Sequence, residues 1–81
     1  MNNAASSAID REIVLQHLEL ANKHVAEGQK RIDAQLALVA RLARDGHDTA
    51  QAQSLLRQFE ETLALQLETR DRIVQELGES R

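Results

Sequence analysis

The sequence predicts an all-α fold, an antiparallel two-helix hairpin that assembles as a coiled-coil-like helical bundle, most simply a dimeric four-helix bundle. Three observations predict it. The 81 residues include no proline and only 3 glycines, so the punctuation of a β protein is missing and helix propensity is high nearly throughout. Two stripes of mostly apolar residues run through the chain at alternating steps of four and three, the spacing of a helix–helix seam. Between the stripes stands a single turn signal, Asp45-Gly46. A chain this short makes one domain, spanning 1–81.

The segment Met1 to Ser6 is small and polar and reads as a frayed tail. Ser7 with Asp10 three residues on makes a capping box, so the first helix is expected over 8–45. Its stripe is Val14, Leu18, Ala21, Val25, Gly28, Ile32, Gln35, Val39 and Leu42. Arg41 and Arg44 suit the negative end of a helix, and Gly46 can take the left-handed conformation that closes one. Asp48 with Gln51 forms a second capping box, and the second helix is expected over 48–77, with Gly78 ending it. The second stripe is Ala52, Leu56, Phe59, Leu63, Gln66, Arg70, Ile73 and Leu77.

A loop this short forces the helices to be antiparallel neighbours. Counting outward from the turn pairs Leu42 with Ala52, Val39 with Leu56 and Gln35 with Phe59, then Ile32 with Leu63 and Gly28 with Gln66. Val25 with Arg70, Ala21 with Ile73 and Leu18 with Leu77 complete the series. One seam between two helices buries too little for a chain of this length. Apolar residues continue on both flanks: Leu15, Leu36, Leu67 and Val74 on one edge, Leu38, Leu55, Ile13 and Leu20 on the other. These eight are the expected interface of a homodimer.

Four seam positions are unusual, namely Gly28, Gln35, Gln66 and Arg70. Long polar side chains at such positions snorkel to the edge or fix register, and Arg70 could instead meet an acidic group on a partner. Gly28 implies that the facing helix comes close, in which case an added methyl would destabilise. The weak metal candidates are His17, His24 and Glu27, but bundle metal centres use Glu-x-x-His on two helices with further carboxylates, and that pattern is missing. His17 is expected opposite Glu76 and His24 opposite Thr69, while His47 sits in the turn.

Several function classes are argued down. With Phe59 as the single aromatic, stacking platforms and ring-lined ligand pockets are not expected. No cysteine is present, and no Ser-His-Asp group or glycine-rich phosphate loop can be assembled, so no catalytic residue and no cofactor are expected. The longest apolar run, Leu36 to Ala40, is far short of a membrane span, and the polar start lacks a secretory core, which makes the cytoplasm the expected compartment. The net charge is −3 with both signs interspersed. Lys23, Lys30 and Arg44 share an outer face, but Glu19 and Glu27 interleave with them, so an RNA- or DNA-binding bundle is the second reading behind a protein–protein interaction module.

The chain resembles a group of short helical-hairpin proteins of rhizobia and related alphaproteobacteria. The residues that carry the resemblance are His17-Leu18, Ala21, His24-Val25-Ala26-Glu27-Gly28, Arg31-Ile32 and Gln35 in the first half. In the second half they are Gly46-His47-Asp48-Thr49, Leu55-Leu56, Phe59-Glu60 and Arg70-Asp71-Arg72. The resemblance implies a bacterial cytosolic protein and carries no activity with it.

Overall fold

Alanine and leucine lead the first half of the chain and leucine, glutamine and glutamate the second, and each half is one helix. The computed structural model describes the backbone of residues 3–79 and the side chains of residues 8–79. Those residues form two antiparallel helices packed along each other, α1 (Asn3–Arg44) and α2 (Ala50–Glu79). The molecule is a rod of 69 × 14 × 14 Å with a radius of gyration of 18.9 Å, against about 12 Å for a compact domain of this length.

The turn is built as its residues dictate. The Gly46 amide bonds to the Ala43 carbonyl at 3.2 Å and the His47 amide to the Leu42 carbonyl at 2.9 Å, a Schellman closure of α1. Gly46 has φ +77°, a left-handed conformation that a Cβ disfavours. Asp48 Oδ1 accepts from the Ala50 amide at 2.9 Å and caps α2. The return bond expected from Gln51 is not formed among the described residues, so only half of that capping box exists.

All four boundaries differ from expectation, the end of α1 by a single residue, at Arg44. α1 begins at Asn3, ahead of Ser7, because Ala4 and Ala5 are strong helix formers and nothing before Ser7 interrupts them. Met1 and Asn2, the rest of the expected tail, lie outside the described residues. α2 opens at Ala50, after the cap at Asp48, and continues through Gly78 to Glu79. Gly78 keeps a right-handed backbone. A glycine ends a helix only when the chain beyond it has a reason to turn.

The seam lies where the stripes place it. Ala21, Gly28, Ile32 and Gln35 are buried, and every other stripe residue of both helices is half-buried. The register differs from the pairing counted out from Leu42 and Ala52. Gln35 Nε2 donates to the Ala52 carbonyl at 2.9 Å. That oxygen lies about 2 Å along the axis from its own Cα, within a glutamine's reach from the level of Leu56 but not from that of Phe59. A Cβ on Gly28 would touch Leu63 Cδ1 at 3.4 Å as well as the tip of Gln66, whose side chain leans back toward the start of α2. The layers are then Val39 with Ala52, Gln35 with Leu56, Ile32 with Phe59 and Gly28 with Leu63, continuing to Val14 with Leu77. The reason is geometric. From Leu42 outward the first stripe steps three then four while the second steps four then three, whereas from Val39 the two step together. This register also gives half-buried Val14 a partner that the expected pairing denied it.

Because nothing lies within 4 Å of a Cβ built on Gly46, its glycine requirement is purely one of backbone conformation. Gly46→Ala should lower stability by about 1 kcal/mol. Thermal melts followed by circular dichroism check this, and an unchanged midpoint would contradict the left-handed closure.

Candidate functional site

The polar seam residues are used in three different ways. Gln35 is 8% exposed and bonds across the seam to the Ala52 carbonyl. Arg70 brings its guanidinium to the edge, where Nη2 meets Asp71 Oδ1 at 3.2 Å with the arginine side chain 34% exposed. That is the snorkelling expected of it. The Arg31 guanidinium lies over the Phe59 ring, 5.6 Å from its centroid, and covers the one aromatic group of the seam. Gln66 differs. Its Oε1 is buried with no hydrogen-bond partner among the described residues, and it occupies the space left by the missing side chain of Gly28.

Two unlike faces flank the seam. On one, His17, Leu20 and His24 of α1 and Thr62, Leu65 and Thr69 of α2 rim a hollow of about 430 Å³. Its floor is Ala21, Gln66 and Ile73. The hollow exists because Ala21 is a small seam residue and the flanking positions of α2 carry threonines. Leu20 and Leu65 stand on its rim, 51% and 64% exposed. Leu65 was not among the flank residues expected from the sequence. A small seam residue beside two flanking threonines is the signal that could have located this hollow.

The opposite face has a shallower hollow of about 350 Å³, edged by Gln29, Glu60, Ala64 and Leu67 over Ile32 and Leu63. Gln29 Nε2 donates to Asp33 Oδ1 at 3.1 Å on this side. Leu15, Leu36 and Val74 are exposed on it, and Leu67 is half-buried. Of the other flank residues, Ile13 and Leu55 are exposed and Leu38 is half-buried.

The structure does not draw the metal candidates into a cluster. His17 and His24 stand two turns apart on one flank, roughly 10 Å along the axis. Among the described residues no three His, Cys, Asp or Glu side chains are grouped so as to hold a metal ion. His24 and Thr69 do line one hollow, as does His17, whereas Glu76 is not part of its lining. His47 is exposed in the turn. No described helix is long and apolar enough to cross a membrane. Compared with protein-family models, with curated proteins and with solved structures, the chain matches none of them.

The Gly28 layer gives two expected outcomes. Gln66→Leu removes a buried acceptor that has no partner and should raise stability by about 1 kcal/mol, read as a higher denaturation midpoint. A Cβ at residue 28 would come within 2.6 Å of Gln66 Oε1, the end of a flexible side chain that can swing to solvent, and only 3.4 Å from Leu63. The close approach expected at this glycine is therefore to a movable group. Gly28→Ala should then be neutral or stabilising by up to about 0.5–1 kcal/mol, the helix-propensity difference. A loss above about 1 kcal/mol would show that the amide cannot leave and that the layer is rigidly packed.

Proposed function

We propose that this protein is a non-enzymatic interaction module that works as a homo-oligomer, closing as a dimeric four-helix bundle in the bacterial cytoplasm and acting through protein–protein contacts. The observation that carries the reading is surface area. The chain exposes 6295 Å², whereas a compact monomer of its 9.1 kDa would expose about 4,900 Å². The excess of roughly 1,400 Å² exceeds the ~800 Å² per partner that a standard protein–protein interface removes. Ile13, Leu15, Leu20, Leu36, Leu55, Leu65 and Val74 are 40–64% exposed, so much of what a partner would cover is apolar.

The polar groups nearest the seam are spent on packing, at Gln35, Arg31 and Arg70, which supports binding over chemistry as the protein's use. On the outer face of α1, Glu19 and Glu27 stand four residues before Lys23 and Arg31, breaking the basic stripe that a nucleic-acid interface needs. Sedimentation equilibrium of the full chain at micromolar concentration should give at least a dimer, with an unfolding midpoint that rises with concentration. A fully helical monomer whose midpoint ignores concentration would overturn the reading.

A further inference from the structure

The two faces of the rod are not equally suited to a second copy. We propose that the copies meet through the face carrying His17, Leu20, His24 and Leu65, as a two-fold pair in which the leucine knobs of each copy fill the hollow over Ala21 of the other. This deepens the self-association reading and rests on it.

Shape supports this face. An isologous interface must be self-complementary, offering both a knob and a hole on one patch. Here the hollow of about 430 Å³ and the exposed leucines on its rim, Leu20 and Leu65, are neighbours on a single face. The rest of the rim is threonine and histidine, side chains that tolerate burial in a pair without carrying a fixed charge.

Charge separates the faces further. The helix positions on the opposite side carry Glu12, Glu19, Asp33, Glu60 and Asp71 against Arg57 and the Arg70 guanidinium, which is paired with Asp71. Two copies apposed there would bring carboxylate against carboxylate, which like-charge repulsion disfavours. The face with the hollow carries Arg31, Arg41 and Arg72 with Asp10, Glu27, Glu76 and Glu79, close to balance. Both signs are present there, so a two-fold pair can set opposite charges across from one another. The surplus of roughly 1,400 Å² over a compact monomer is enough to give up one such face and still leave the other solvated.

The chain has no cysteine, so single-cysteine variants report one site each. Leu65→Cys and Leu36→Cys, on the two faces, would be labelled with a maleimide across a dilution series spanning the dissociation midpoint, with helix content checked by circular dichroism. The Leu65→Cys thiol should be protected about tenfold or more in the associated form, and the Leu36→Cys thiol should label at one rate throughout. In parallel, Leu65→Glu should weaken association about tenfold or more while Leu36→Glu leaves it unchanged. Both substitutions fall on side chains exposed in the hairpin, 64% and 49% respectively. Protection at position 36 in place of 65, protection at both, or protection at neither in a protein that still associates would overturn the choice of face. A wild-type chain that stays monomeric would instead overturn the self-association reading beneath it.

Discussion

Everything in this molecule hangs on two stripes stepping together in opposite directions. An antiparallel pair meets one stripe in reverse, so a four-step on one helix must face a four-step on the other. The chain meets this condition when Val39 faces Ala52, and the short turn selects that alignment from those a heptad apart. Its Schellman bonds from Gly46 and His47 back to Ala43 and Leu42 consume the last residues of α1. The Leu42 carbonyl closes the helix while its side chain stays half-buried beyond the last paired layer. Asp48 then caps α2 at once. With no slack between the closures, the whole rod inherits its register from a few backbone hydrogen bonds.

What the register holds together is thin. Among the described residues no side chain of α2 is fully buried, and the buried positions of α1 are an alanine, a glycine, an isoleucine and a glutamine. Small residues let the helices approach but contribute little apolar burial. The seam therefore leans on polar devices that cost desolvation and return specificity, chiefly the Gln35 bond to the Ala52 carbonyl. A slide of α2 by seven residues would keep the apolar spacing intact, yet it would break that bond. Gln66 is the counterexample, an amide whose oxygen fills the gap at Gly28 without finding a donor.

The sequence made the stripes legible because each seam residue repeats at a spacing that only a helix brings to one side, and burial falls on those residues. It made the turn legible because Asp45-Gly46 and Asp48 have local chemistry that does not depend on partners. The register was less accessible. Pairing from the residues nearest the turn puts the two stripes out of step, and the two candidate alignments differ by only three residues in α1. The ends of the helices were least legible. Ser7 offers a cap that the helix runs past, and Gly78 offers a stop that it ignores, because propensity signals permit an ending without enforcing one. Of the candidate site, the outward leucines were readable from the pattern, apart from Leu65. The hollow was not, since it arises from the coincidence of Ala21 on one helix with Thr62 and Thr69 on the other.

A rod with two equally adhesive faces has no reason to stop at two copies. Each added chain would present a fresh face, and open stacking would follow in place of closure. The distribution of charge on this chain breaks that symmetry. Both faces set exposed apolar side chains beside a hollow, but the acidic one surrounds Leu15, Leu36 and Val74 with five carboxylates against two arginines, while the other is close to charge balance. The acidic face keeps its apolar residues in a setting where a second copy is repelled, while isolated apolar side chains on a wet surface cost little. Thr62 and Thr69 leave the hollow over Ala21 open, and a leucine at either place would narrow it. The shallow core and the exposed leucines are thus two sides of one constraint: a two-helix seam this thin leaves part of the chain's apolar surface uncovered on both flanks.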